Sequence, residues 1–413
     1  MNTQLQTLKG FRDFLPEEKR QREYVAGVMQ KVFERFAFAP LETPTLEYAS
    51  LLLGKYGDEA DKLVYQFVDR GEREVALRYD QTVPTARVLA QYQNELPRYF
   101  RRYQIQNVFR ADKPQKGRFR EFTQADCDIF GTTGSLADAE ILAVFYAVYA
   151  ELGFQSIVLE YNDRNVLTAL LVPFATEAVS VASLTQSIDK LDKVSKAEVA
   201  DELVAKGLEA DRADQALKAL EAAKESENLL AIRAQAEALG VPPTALKFNP
   251  FLARGLDYYT GLIFEGRIAE YGAGSVGGGG RYDNLIGQLS GVEIPAVGFG
   301  IGFDRTVEAA AALNLIPANT TGPQVLVTVF SDELAPRSIE LARQLREAGI
   351  RTELYPAAEK LGKQFKLAEQ KQIKFVAVIG DEEAAQNTIQ VKNIVAGTQE
   401  VVTSAAAIVQ MLH

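Results

Sequence analysis

NVFRADKPQKGRFREFTQADCDIF, residues 107–130, is the stretch whose reading decides the fold. Arg98 to Arg110 alternates like a strand, KPQKG interrupts it, and Phe119 to Phe130 takes the alternation up again. The result is a hairpin whose long tip carries Lys113, Lys116 and Arg118 around Gly117. Gln124, Asp126 and Asp128 on the return strand are two residues apart and therefore share one face. Three polar groups on one face need solvent, a ligand or a partner. A solvated tip is the ordinary alternative, but a binding cleft is the better reading. Val64 to Asp80 gives an earlier hairpin around the polar turn DRGERE. Together the hairpins point to an α+β domain, a mainly antiparallel sheet flanked by helices.

On either side the elements follow their own signals. Pro16, Glu17 and Glu18 start a helix, and Val25, Val28, Met29, Val32, Phe33 and Phe36 give it one apolar face. Pro40 and Pro44 exclude a central strand after it. A further helix is expected around VPTARVLAQY. Residues 165–240 are rich in Ala, Leu, Glu and Lys, with capping-box spacing at Ser195 and Glu198, and read as a helical insertion. Strand signals return at LIFEGRI and AVGFGIG, the latter running into a helix. TTGP, residues 320–323, reads as a linker. Beyond it strands and helices alternate as a compact α/β domain. The expected division is 1–164 and 241–319 as two parts of a main domain, 165–240 as the insertion and 323–413 as the last domain.

Composition narrows the chemistry. At 413 residues, 47% hydrophobic and 24% charged, the chain has the balance of a soluble protein of two or three domains. It has no apolar run long enough to span a membrane and no leader-like N-terminus, so the cytoplasm is the expected location. Cys127 is the single cysteine and His413 the single histidine, which leaves no Cys/His metal site and no histidine-centred triad. Chemistry must run on arginine, lysine, carboxylates, tyrosine and backbone. A net charge of −10 means that any nucleic-acid partner is held by a local patch.

Two glycine-bounded stretches remain. RGLDYYTG, residues 254–261, sets a cation, a carboxylate and two phenols beside bare backbone, and GAGSVGGGGRYDNL follows from Gly272. GAGSVG matches the dinucleotide pattern GxGxxG, but no buried parallel strand precedes it and no helix opens on it, so that reading is rejected. A glycine loop that lets backbone approach a ligand is the alternative. GFGIGFDR, residues 298–305, permits either tight packing or a flat ring against backbone, with Arg305 reaching phosphate at a helix start.

Taken together these residues resemble the class II aminoacyl-tRNA synthetases, and within them the histidyl-tRNA synthetase family, over essentially the full length. The first helix with the Pro44 segment looks like motif 1, Arg110 to Asp128 like motif 2 and GFGIGFDR like motif 3. RGLDYYTG and GGGRYDNL look like the blocks peculiar to the histidyl family, LRYDQTVPTAR matches its form, and the last domain looks like its anticodon-binding module. The resemblance implies ATP-dependent activation of L-histidine to an adenylate, with Mg²⁺ accompanying ATP, then transfer to tRNA(His). It also implies a homodimer through the motif 1 region. A catalytically silent relative, the regulatory subunit of ATP phosphoribosyltransferase, is the alternative, and an ATP-dependent ligase for another amino acid is a third.

Carried over residue by residue, the resemblance makes Arg254 the cation at the α-phosphate, with Arg110 gripping it from the opposite strand. Arg118 and Arg305 would approach the outer phosphates, and Asp112 would accept from the adenine amino group. Asp80, Thr82 and Gln124 match positions that hold the amino acid's ammonium and carboxylate. Asp128 and Tyr259, with the adjacent Tyr258, match the imidazole end. Asp80, Asp112 and Asp128 stand where many relatives carry glutamate, which shortens their reach. Lys113, Gln115 and Lys116 resemble the segment that meets the tRNA acceptor end. Lys360, Lys363, Lys366, Lys371 and Lys374 read as a lysine-studded helix, either a solvated face or a set of contacts to tRNA backbone.

Overall fold

The computed structural model describes residues 5–54, 61–114, 117–192, 194–253, 258–272, 274–317 and 322–412. The chain divides into two compact units, Met1–Ile316 and Pro317–His413.

In the first unit the helix Pro16–Arg35 has its proline in the first turn and buries Val25, Met29, Val32 and Phe33. β1 (Ala39–Pro40) is an edge strand, the place where a proline costs no ladder bond. β2 (Leu46–Tyr48), β3 (Gln66–Val68) and β4 (Glu74–Leu77) form a separate antiparallel sheet in the order β2-β4-β3. The expected hairpin at Val64–Asp80 is its β3–β4 pair, closed by Asp69 accepting from Gly71 N at 2.8 Å and Arg73 N at 2.9 Å. The helix Thr82–Gln91 follows.

The main sheet is built around the second hairpin. β5 (Phe100–Phe109) and β6 (Glu121–Phe130) pair antiparallel along their whole length. β7 (Ile157–Asp163), β8 (Leu246–Phe248), β9 (Leu262–Ile268), β10 (Ser275–Arg281) and β11 (Ala296–Gly302) complete it. The order is β1-β5-β6-β11-β10-β9-β7-β8, parallel only at its two outer pairs. Ala125, Cys127 and Ile129 of β6 face a core shared with the helices Pro16–Arg35, Ser135–Glu151 and Phe303–Ala312. Strand alternation therefore turns Gln124, Asp126 and Asp128 to the opposite face.

Two expectations change here. GAGSVGGGGR reads as a loop, yet Ser275–Arg281 is a central strand between β9 and β11. Its glycines are required by close backbone approach: a Cβ on Gly279 would lie 1.9 Å from Gly298 O, and one on Gly280 2.2 Å from Leu262 O. The helices of the expected insertion, 165–240, also divide between two cores. The helices Arg164–Leu171, Val181–Ile188, Lys196–Ala205 and Ala210–Glu221 share a core of Leu167, Leu171, Leu184, Val199, Leu203 and Leu220. The expected capping box at Ser195 and Glu198 is formed. The helix Glu227–Ala238, however, puts Leu229, Ile232 and Ala236 into the main core, because its apolar stripe fits against Ser135–Glu151.

The second unit has a five-stranded sheet of β12 (Val325–Val327), β13 (Thr352–Leu354), β14 (Phe375–Val378), β15 (Ile389–Asn393) and β16 (Thr398–Val402). Its order is β13-β12-β14-β15-β16, with β12 parallel to both neighbours and the last two pairings antiparallel. The lysine run is only partly helical. Lys363 and Lys366 lie in the helix Leu361–Gln370, Lys360 and Lys371 flank it as its caps, and Lys374 precedes β14.

Candidate active site

The strand register makes the site. Asp128, Asp126 and Gln124 on β6 stand opposite Gly298, Gly300 and Gly302 on β11. A Cβ on Gly298 would fall 1.7 Å from Asp128 Oδ1, and one on Gly300 2.9 Å from Asp126 Oδ1. The glycines of GFGIG are thus the absence of side chains over a row of polar ones, and Gly278 and Gly279 of β10 extend the bare strip. Above it lies a cavity of about 230 Å³ lined by Asp80, Thr82, Arg110, Gln124, Asp126, Asp128, Tyr258, Tyr259 and Tyr282. Gln81, fully buried between Asp80 and Thr82, donates to Gln106 O at 3.1 Å and Gln124 O at 2.9 Å. It pins both neighbours against the sheet.

Arg102, on β5 in register with Asp128, forms the floor and is fully buried. Its Nη2 is 2.6 Å from Asp128 Oδ2 and 3.9 Å from Asp126 Oδ2, while Nη1 donates to Gln104 Oε1 at 3.1 Å. Tyr282 OH donates to Asp128 Oδ1 at 2.5 Å. Burial pushes the Asp126 carboxyl up to about 8 against the pull of Arg102. The same burial raises Asp128, again opposed by Arg102, and it raises the Tyr282 phenol. Sequence reasoning misses Arg102. Its only signal is a charge inside the strand RRYQIQ, which the register with DCD alone makes meaningful.

A second cavity of about 340 Å³ shares Arg110, Gln124, Gly278 and Gly300 with the first, so the two are lobes of one cleft. It adds Asp112, Arg118, Phe122, Gly277, Gly302 and Arg305. Arg110 is held ready: Nε donates to Tyr79 O at 3.2 Å, Nη2 to Gln124 Oε1 at 3.4 Å, and its guanidinium lies 4.4 Å from the Tyr79 ring centre. Arg118 is mostly exposed, 3.6 Å from Asp112, and the exposed Arg305 donates to Ser275 O. Its neighbour Asp304 turns inward, accepting from Arg12 at 3.0 Å, from Arg22, and from Thr123 N at 2.9 Å. One lobe therefore offers carboxylates and phenols, the other guanidinium groups over bare backbone. That pairing suits a small zwitterion beside a nucleotide phosphate.

Of the expected site residues, Asp80, Thr82, Arg110, Asp112, Arg118, Gln124, Asp128, Tyr258, Tyr259 and Arg305 line this cleft. Lys113 is exposed at the hairpin tip and lines neither lobe. Arg254, Gln115 and Lys116 lie outside the described residues. Among the described residues no group of three or more His, Cys, Asp or Glu side chains is arranged to hold a metal ion. No described helix is long and apolar enough to cross a membrane.

Comparison with known proteins gives the chain a family. The family described as "Histidyl-tRNA synthetase" matches residues 10–305, and that described as "Anticodon binding domain" matches residues 324–412. A histidine–tRNA ligase from Rhodopirellula baltica is 39% identical, with 95% of this chain and 93% of that protein aligned. One from Porphyromonas gingivalis is 37% identical, over 97% of each chain. The crystal structure of a histidyl-tRNA synthetase from Nostoc sp. PCC 7120 superposes with a TM-score of 0.86 at 29% identity, covering 99% of both chains. By sequence, by fold and by the extent of both, the chain belongs to the histidyl-tRNA synthetase family.

Proposed function

We propose that this chain is a histidine–tRNA ligase, which activates L-histidine with ATP and transfers it to the 3′ end of tRNA(His). The observation that carries the reading is the continuity of the cleft, a carboxylate-and-phenol lobe opening through Arg110 and Gln124 into an arginine lobe. Histidine's carboxylate is already ionised near neutral pH and needs no general base. One of its oxygens attacks the α-phosphorus of ATP, and the bond to pyrophosphate breaks. Negative charge gathers on the α-phosphate as this happens, and a guanidinium fixed in advance stabilises it at no reorganisation cost.

In this reading Arg110 is that group, partnered by Arg254 on the strength of the family resemblance. Arg118 and Arg305 take the outer phosphates, with Mg²⁺ arriving as its complex with ATP, and Asp112 takes the adenine amino group. Asp80, Thr82 and Gln124 hold the ammonium and carboxylate, while Asp128, Tyr258 and Tyr259 face the imidazole. A terminal ribose hydroxyl of tRNA then attacks the adenylate's carbonyl carbon and AMP leaves. Gln115, Lys113 and Lys116 would meet the acceptor end, and the second unit the anticodon. Exposed Leu46, Tyr48, Phe67 and Val68 on the small β2-β4-β3 sheet, close to the Pro44 segment, favour a homodimer there. The expected location is the cytoplasm.

Exchange of labelled pyrophosphate into ATP tests the reading. Exchange that depends on histidine and on no other amino acid is the expected result. Histidine binding without exchange would instead fit the silent regulatory relative.

A further inference from the structure

We propose that Asp126 is a specificity-determining residue of the amino-acid lobe, its carboxyl receiving one nitrogen of the imidazole while Arg102 acts as the positioning residue beneath it. The inference rests on the histidine-charging reading and adds a contact that the family resemblance does not supply. Asp128 is held at both oxygens, Oδ1 accepting from the Tyr282 hydroxyl and Oδ2 ion-paired with Arg102 Nη2 at 2.6 Å, although at an angle that makes no hydrogen bond. Asp126 is as deeply buried, at 4% exposure, and lines the same cavity, yet its Oδ1 has no hydrogen-bond partner. A buried polar atom at a cavity wall is expected to find its partner in what enters the cavity. Gly300 opposite keeps the approach open, since a Cβ there would crowd that oxygen at 2.9 Å.

The charges around Asp126 fix the form in which it meets the ring. Arg102 faces it from β5, Asp128 lies two residues along β6, and Asp80 and Arg110 border the lobe from the loops. Burial outweighs the cations, and the carboxyl keeps its proton up to about pH 8. A neutral imidazole has one acceptor and one donor nitrogen. Asp126 as an acid donates to the acceptor nitrogen, which leaves the ring N–H for the phenol oxygen of Tyr259. The free ring sheds its own proton near pH 6.5. Between roughly pH 6.5 and 8 the pair therefore holds one proton before and after binding. Above that window Asp126 must regain a proton, and below it the ring must lose one.

The test follows kcat/KM for histidine in pyrophosphate exchange, from pH 6 to pH 9, with the full chain. Wild type is expected to fall on both sides of the window, with an upper limb near pH 8. Asp126→Asn keeps the shape but cannot titrate, so its upper limb disappears. Asp126→Ala raises KM for histidine roughly 10-fold or more with little change in kcat, the scale of one lost hydrogen bond that leaves a buried acceptor unpaired. Arg102→Gln withdraws the opposing cation and moves the limb to higher pH, which loss of packing alone would not do. An unchanged limb and KM in Asp126→Asn overturn the proposal while leaving histidine charging intact. Should the variants not fold, a wild-type profile without a limb near pH 8 overturns it as well. Wild type with no histidine-dependent exchange at any pH refutes the charging reading itself and this inference with it.

Discussion

Arg281 and Tyr282, neighbours in the block GGGRYDNL, do different work because a strand end turns them to opposite sides. Tyr282 reaches into the cleft to Asp128. Arg281 points away and meets Asp138 near the start of the helix Ser135–Glu151, with Nη2 at 2.8 Å and Nε at 3.0 Å, and it also donates to Thr132 O at 2.8 Å. Both partners are almost fully buried. Burial lifts the Asp138 carboxyl to about 6 even with the arginine beside it. Removing the cation would leave that carboxyl with no partner able to offset its desolvation. Arg281→Met is therefore expected to cost about 3–5 kcal/mol of stability, read from denaturant unfolding. Adding Asp138→Leu should recover much of the loss, since a buried ion pair replaced on both sides by apolar groups is often neutral. A loss that the second substitution does not reduce would count against the pairing as its cause. In the sequence Arg281 and Arg102 are similar charges in strands. Only register distinguishes a structural tie from the floor of a pocket.

Glycines are the elements' own specificity device, and their costs separate by what a methyl group would meet. Gly27 lies inside the helix Pro16–Arg35 with nothing within 4 Å of the place a Cβ would take, so Gly27→Ala is expected to stabilise by about 0.5–1 kcal/mol. Gly298→Ala would instead push on the Asp128 carboxylate, which Arg102 and Tyr282 hold from two sides. Its expected effect is a rise of roughly 10-fold or more in KM for histidine, the scale of one displaced polar contact, with thermal unfolding and exchange kinetics as the joint readout. A Gly298→Ala variant with wild-type KM would show the strip to be packing alone. This is also where the sequence is hardest to read. The hairpin at residues 107–130 is legible because alternation and a polar break announce it. SVGGGGR announces almost nothing, because after Val276 a run of four glycines has neither alternation nor β-branched side chains, and its pairing depends on neighbours remote in sequence. The helix Glu227–Ala238 escapes for a related reason: composition assigns it to the insertion, but the surface that accepts its apolar stripe belongs to the main sheet's helices.

The whole molecule separates its two tasks between its two units. Among the described residues, every one that lines the cleft lies before residue 306, within the first unit, so amino-acid activation is expected to draw on that unit's side chains. The second unit is legible as α/β from its first three strands, whereas the β15–β16 hairpin is not, since KNIVAGTQEV carries its turn only in Asn393 and Gly397 among weakly alternating residues. The lysines there are not equivalent. Lys371 is paired with Glu353 at 2.5 Å and Lys363 with Glu359 at 3.4 Å, each partly neutralised at home. Lys360 and Lys366 are exposed on the same helix and its cap, which makes them the better candidates for phosphate contacts. Each cation that meets a phosphate contributes about −0.7 to −0.9 to the slope of log affinity against log salt. Lys360→Glu with Lys366→Glu should therefore raise KM for tRNA and flatten its salt dependence by roughly one to two units. Histidine-dependent pyrophosphate exchange should not change, because that chemistry belongs to the other unit. A tRNA KM and salt slope equal to wild type would show this face to be merely solvated. A fall in exchange would instead mean that the two units communicate during activation.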